Sequence, residues 1–240
     1  SAAYIRQKEK KAEAIGAKVT VMKFANDVTT EELEEKITLL NSDPFVHGIL
    51  IQRPLPEHID VIRLEMLTDP EKDIDGFHPE SPYTLPLPLA VMKILEYIYT
   101  QVPHDNDSIM TWLEKKHVVV LGKGATGGKP IIEYLKKLNI KPEIVDSKTA
   151  YPDDILIKAD IIISAVGKRD TVKASSLKKG VILIGVGMTQ GEGKKLHGDY
   201  IEADIKEIAS FYTPTPKGVG PVNVAMLMDT LVTATEKQNK

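Results

Sequence analysis

Cysteine is absent from all 240 residues, which excludes disulfide staples, thiolate metal sites and a cysteine nucleophile, and agrees with a reducing, cytoplasmic setting. No apolar run approaches the roughly 20 residues that cross a bilayer; the most apolar stretch, 161–166, is strand-sized. The N-terminus opens into a charged helical pattern rather than a signal peptide, as if the sequence began inside an element. Neither sign of charge dominates: 31 Lys and Arg against 34 Asp and Glu leave a net charge of -3, too balanced to hold a polyanion, so nucleic acid is not an expected partner. There is no internal repeat with a period of about 20–50 residues. The six histidines, His47, His58, His78, His104, His117 and His197, show no metal-ligand spacing, and no metal is expected. What is present is a soluble globular composition, 42% hydrophobic and 27% charged, long enough for one large domain or two small ones.

Element signals alternate. Residues 3–15 are good helix formers ending at Gly16, and 17–24 alternate apolar and polar as a strand does. Thr29 with Glu32 makes a capping box ahead of Leu33, Ile37 and Leu40. A short buried strand at 48–52 and a helix bearing Ile59, Ile62, Leu64 and Leu67 follow. Residues 89–99 read as a long amphipathic helix, 103–108 as a linker, and 116–122 as a strand apolar on both faces, as central parallel strands are. Further strands are expected at 143–145, 161–166 and 181–186, then turns to Tyr212, a rigid loop over 213–221 and a last helix at 222–233. This alternation is the signature of α/β layers.

Five places offer chemistry. Gly122-Lys123-Gly124-Ala125-Thr126-Gly127 is a GxGxxG placed between a strand and a helix, where glycines let the backbone approach a pyrophosphate and the helix N-terminus offers free N–H groups. About 20 residues further on, Asp146 favours the ribose hydroxyl of NAD, whereas Ser147 and Lys148 favour the extra phosphate of NADP; Asp146 is equally suited to capping its own turn. Tyr4 and Lys8 sit four apart and share a helix face, where desolvation would make the lysine a proton carrier near neutral pH; the bland alternative is a solvated lysine packed on the ring. Finally, Gln52 closes a buried strand, and Lys72-Asp73-Ile74-Asp75-Gly76-Phe77-His78-Pro79 puts two carboxylates in a turn.

Taken together, these segments resemble the bifunctional methylenetetrahydrofolate dehydrogenase/cyclohydrolase family. The matching pieces run in family order: Tyr-Ile-Arg-Gln-Lys at 4–8, Gly-Ile-Leu-Ile-Gln-Arg-Pro-Leu-Pro at 48–56, Asp-Pro-Glu-Lys-Asp-Ile-Asp-Gly-Phe-His-Pro at 69–79, Gly-Lys-Pro at 128–130 and Gly-Val-Gly-Pro at 218–221. The resemblance implies an α/β protein of two domains with a cleft between them: an N-terminal α/β catalytic domain, residues 1–100 and 219–240, to which the C-terminal helix returns, and a Rossmann-like dinucleotide-binding domain, residues 101–218.

It further implies oxidation of 5,10-methylenetetrahydrofolate with a nicotinamide cofactor, then hydrolysis of the methenyl form to 10-formyltetrahydrofolate. Lys8 would be the proton carrier, supported by Gln52, with Tyr4 against the folate and Asp75 on the pterin edge. Gly122, Lys123, Gly124, Gly127, Ser147, Lys148 and Met188 would bind NADP, with NAD the alternative, and Pro216 and Lys217 would join Tyr4 and Asp75 on the substrate. A cytoplasmic homodimer is the implied assembly.

The sequence departs from the family in its glycine loop, usually Gly-Arg-Ser; at Leu85-Pro86-Leu87-Pro88, where relatives have Pro-Cys-Thr-Pro; at Lys217, which stands where a glycine is usual; and in lacking the family's first strand and helix, as a fragment or an unusually small domain would. Competing readings are another two-domain dehydrogenase of shikimate or amino-acid type, which the 52–56 and 73–79 segments oppose, and a nucleotide sensor without turnover, which has no use for Lys8, Gln52 and Asp75.

Overall fold

A computed structural model describes residues 2–104, 107–191, 193 and 195–239. The chain forms two compact units, one of residues 1–86 with 224–240 and one of residues 87–223.

In the first unit, α1 (Ala2–Ala14) ends at Gly16, whose φ of +80 closes the helix in a conformation that side chains resist. Its buried face centres on Ala12, which packs with Ile74 and with Leu227, Met228 and Ala234 of the C-terminal helix (Val219–Gln238). That helix therefore returns to the first unit. Helix α2 (Thr30–Ser42) begins at the expected capping box: Glu32 N–H donates to Thr29 Oγ1 at 3.2 Å and Thr29 N–H to the Glu32 carboxylate at 2.8 Å. Losing such a cap costs about 1 kcal/mol. Ile37 of α2 and Leu64 of α3 (Val61–Leu67) share a cluster with Ile59.

Two expected strands of this unit are corrected. Residues 17–24 form no ladder, and Val19, Val21, Met22 and Phe24 are exposed. At 48–52 only one parallel bridge forms, Ile49 with Asp73. Alternation gives a segment the outline of a strand, but backbone N–H and C=O groups make a ladder only beside a neighbour in register.

The second unit opens with α4 (Pro86–Gln101) and α5 (Ile109–Glu114). Between them lies the expected linker, of which Asp105 and Asn106 fall outside the described residues. A five-stranded parallel sheet follows, built from β1 (Val118–Leu121), β2 (Glu143–Val145), β3 (Ile161–Ser164), β4 (Ile182–Gly185) and, at its far edge, Phe211–Tyr212. Strand β1 lies between β2 and β3, with Leu121 facing Val145 on one side and Ser164 on the other. The chain thus leaves β1 in one direction and returns on its opposite side, and the crevice beyond its carboxyl end is where open α/β sheets hold ligands. Helices α6 (Gly128–Lys137) and α7 (Pro152–Leu156) make the crossovers. Val119, Ile162 and Leu183 are wholly buried, which explains why these strands are apolar on both faces.

The stretch after Gly187, expected as turns, instead contains an antiparallel pair, β5 (Met188–Gln190) with β6 (Leu196–Gly198), then α8 (Glu202–Ile205) and the edge strand β7 (Phe211–Tyr212). The polar, glycine-rich sequence masks strands this short. The C-terminal helix also starts earlier than expected, at Val219, because Pro221 sits in its first turn, where no intrahelical N–H is needed.

Candidate active site

On α1, the four-residue spacing stacks Lys8 above Tyr4, with Nζ 5.0 Å from the ring centroid. The ammonium also donates to Gln52 Oε1 at 3.2 Å. Gln52 is held in turn by its Nε2, which donates to the carbonyl of Arg53 at 2.8 Å, so the amide oxygen is aimed at the lysine. Burial lowers the Lys8 pKa, and the charge of Asp75 partly opposes the shift. A lysine lowered in this way exchanges protons at a pH closer to neutral.

Asp75 lies on the tight turn after Asp73. Gly76 takes a φ of +71, and a Cβ there would stand 2.8 Å from the Tyr83 carbonyl, so only glycine completes the turn. Asp73, buried, accepts from the N–H groups of Gly76 at 3.2 Å and His78 at 2.7 Å, which sets the loop. Its carboxyl is pushed up by burial. That of Asp75 is raised to about 6, first by burial; Asp73 adds to the rise, while Lys8 and Arg53 pull against it.

The loop's other end is anchored by Lys72, whose buried ammonium donates to the carbonyls of Leu40, Asn41 and Asp43 at 3.1, 2.7 and 2.8 Å and so caps α2. Arg53 had no role in the sequence reading. Its guanidinium lies 3.9 Å from the Phe77 ring centroid, pairs with Glu65 and helps line a small cavity with Asp73 and Asp75. An arginine directly after the apolar 48–52 segment was the available signal.

In the second unit the glycine loop divides by purpose. A Cβ on Gly122, whose φ is +93, would lie 2.7 Å from the Ala165 carbonyl, and one on Gly128 would lie 1.9 Å from the Gly122 carbonyl. These two glycines serve packing. A Cβ on Gly124 would meet nothing within 4 Å, and one on Gly127 only the Ala165 side chain at 3.5 Å. Gly124 therefore faces open space, and α6 starts from Gly127 with no side chain capping its first N–H groups. Lys123 reaches over to Asp146, with Nζ 2.5 Å from the carboxylate. Asp146 also accepts from the Lys148 N–H at 2.8 Å, so it caps its turn and pairs at once; the lysine bonds keep its pKa below the usual carboxylate range.

Ser147 and Lys148 lie exposed on the same turn. Open backbone at Gly124, the exposed Ser147 hydroxyl and Lys148, and Lys123 held beside them on Asp146 fit a dinucleotide carrying an additional phosphate, while the Gly127 and Lys129 N–H groups at the start of α6 already donate to the Gly124 carbonyl at 3.1 Å. Met188, half-exposed, begins β5. Pro216 and Lys217 are exposed, and Lys217 has a φ of +84, a conformation natural to glycine. The candidate residues thus assemble as two local groups: Tyr4, Lys8, Gln52 and Asp75 in the first unit, and the glycine loop with Lys123, Ser147 and Lys148 in the second.

Two family models match, the tetrahydrofolate dehydrogenase/cyclohydrolase catalytic domain over residues 1–75 and the NAD(P)-binding domain of the same family over residues 88–239. The bifunctional protein FolD of Enterococcus faecalis is 38% identical over 247 residues, spanning 99% of this chain and 84% of that protein. Its counterpart from an Exiguobacterium species is 39% identical over 97% of this chain and 82% of that protein. Among solved structures, the bifunctional FolD enzyme of Campylobacter jejuni superimposes with a TM-score of 0.88 at 32% identity, covering 98% of this chain and 83% of that one. The Trypanosoma brucei methylenetetrahydrofolate dehydrogenase-cyclohydrolase, complexed with NADP cofactor and an inhibitor, gives 0.86 at 30% identity over 99% and 83%.

Proposed function

The chain belongs to the tetrahydrofolate dehydrogenase/cyclohydrolase family, and on that premise we propose how its residues carry out the two reactions. It oxidises 5,10-methylenetetrahydrofolate to the methenyl form and hydrolyses this to 10-formyltetrahydrofolate, with NADP as cofactor. Family membership sets aside the shikimate-type, amino-acid-type and sensor readings.

Bound NADP supplies the hydride acceptor for the first reaction. The substrate's own nitrogen stabilises the resulting cation, so this step asks the protein mainly for geometry. Gly124 and Gly127 would lie against the pyrophosphate on a turn that Gly122 shapes by packing on Ala165, Lys123, Ser147 and Lys148 would receive the additional phosphate, and Met188 would border the cofactor. Asp75 holds the pterin edge, Tyr4 packs on the folate, and Pro216 and Lys217 complete the substrate contacts. The folate chemistry belongs to residues 1–100 and 219–240 and the dinucleotide to residues 101–218.

Hydrolysis needs a proton carrier. Water attacks the methenyl carbon while the neutral amine of Lys8 takes one of its protons; the amine then returns a proton to the pterin nitrogen as the carbon–nitrogen bond breaks. The remaining hydroxyl proton leaves to solvent as the formyl group forms. Gln52 aims the amine, and burial lowers its pKa, which favours the neutral form that accepts the proton. The single observation carrying this reading is the part-buried Lys8 ammonium held on Gln52 and over the Tyr4 ring, in the field of Asp75.

Lys8→Met tests it directly. General acid–base catalysis contributes about 10²–10⁴-fold, so methenyl hydrolysis should fall by about a hundredfold or more while methylene oxidation, followed by NADPH absorbance, stays within a few-fold. Undiminished hydrolysis refutes the assignment. No helix among the described residues is long and apolar enough to cross a membrane. We further place the protein in the cytoplasm as a homodimer, a reading supported by its cysteine-free composition and its family resemblance.

A further inference from the structure

Among the described residues of the second unit, the assignments above leave one wholly buried carboxylate without a role, that of Asp199. It follows β6 and sits under the loop that leaves β3. One oxygen, Oδ2, accepts from Ser164 Oγ at 2.6 Å and from the Val166 N–H at 2.9 Å; the other, Oδ1, accepts from the N–H groups of Gly167 at 2.8 Å and Lys168 at 3.0 Å. Four donors from five consecutive residues thus converge on a single side chain. The space it occupies depends on Gly187, where a Cβ would stand 2.2 Å from Oδ2.

The held loop is the wall of the glycine loop: a Cβ on Gly122 would touch the Ala165 carbonyl, and one on Gly127 would lie 3.5 Å from the Ala165 side chain. Both loops stand at the carboxyl ends of adjacent strands, β1 and β3, beside the point where strand order reverses. Buried carboxylates that gather backbone N–H groups fix a loop at several points at once, and each such charged bond is worth more than a neutral one.

We propose that Asp199 is a positioning residue for the dinucleotide: it touches no substrate, but sets the 165–168 loop that walls the cofactor crevice. This rests on the glycine loop being the cofactor site. The isosteric change Asp199→Asn is the incisive variant, because both oxygens accept and an amide nitrogen can replace neither. In the milder orientation it faces Ser164 and Val166; the hydroxyl can turn to accept, but the Val166 N–H is left facing another donor.

The test titrates NADPH into wild-type enzyme and Asp199→Asn by calorimetry, with both activities and the thermal midpoint measured alongside. Expected for the variant are an NADPH Kd and a dehydrogenase KM for NADP raised in step by about tenfold or more, with methenyl hydrolysis, which is carried out by first-unit residues, within twofold. An unchanged NADPH Kd overturns the proposal, as does a proportional fall in hydrolysis, which would mark Asp199 as a support of the fold in general. If Asp199→Asn does not fold, Ser164→Ala carries the test, with an expected loss of NADPH affinity of about threefold and unchanged affinity as the refuting result. Wild-type enzyme that binds no NADPH would instead overturn the cofactor assignment beneath the proposal.

Discussion

Asp75→Asn measures what the protein gives up in stability to keep a carboxylate beside Lys8 and Arg53. The carboxyl titrates near 3.8 when exposed and at about 6 in the fold, chiefly because burial disfavours the charged form. Each pH unit of difference is worth about 1.36 kcal/mol, so the gap corresponds to about 3 kcal/mol. The sign follows from which state holds the proton more tightly. Below about pH 3 both folded and unfolded chains are protonated and this contribution to stability is fully present. As pH rises through 6 the folded protein must carry the charge, and the contribution is lost. Asparagine is similar in shape and never ionises.

The unfolding free energy of Asp75→Asn minus that of wild type should therefore grow by about 3 kcal/mol between about pH 3 and 7 and level off above. Urea unfolding of both proteins across this range is the assay, and carboxylates common to both cancel in the difference. Lys8, Asp73 and Arg53 are the charged groups acting on Asp75, and the two cations act against the shift. A flat difference, or one that falls as pH rises, would mean that these cations outweigh burial, and the reasoning about Asp75 would be wrong.

Three further outcomes are expected. Gln52→Glu places a negative charge where the amide oxygen now lies 3.2 Å from the Lys8 ammonium, which favours the charged lysine and raises its pKa; the alkaline rise of methenyl hydrolysis should move to higher pH, as a pH–rate profile will read. Gly124→Ala should leave the thermal midpoint unchanged but weaken NADP by about tenfold or more, since the added methyl enters the open face, whereas Gly128→Ala should unfold the second unit because its methyl meets the Gly122 carbonyl. Lys217→Gly should raise unfolding free energy by about 1 kcal/mol, measured by denaturant melts, because a φ of +84 strains any residue with a Cβ.

Much of the site was legible because its signals are local. Tyr4 and Lys8 share a face through helical spacing alone, and the capping box at Thr29 and Glu32 forms as read. The glycine loop lies between its strand and helix for the same reason. Arg53 and Asp199 went unread because neither has a distinctive neighbourhood in the chain; their importance comes from Phe77 and from the 164–168 loop, which fold beside them. The strand expected at 17–24 failed in the opposite sense, with a correct local pattern and no neighbour to pair with.

By itself the sequence determined periodicity, caps, turns and the order of elements, since backbone sterics and helix spacing act within a few residues. Tertiary structure alone decided that Gln52, 44 positions from Lys8, would aim its amine, that Asp75 would be partly withdrawn from water and have its pKa raised to about 6, and that Gly124 would face open space while Gly128 would not. Desolvation and close approach depend on which distant segments the fold brings together, and no local pattern carries that information.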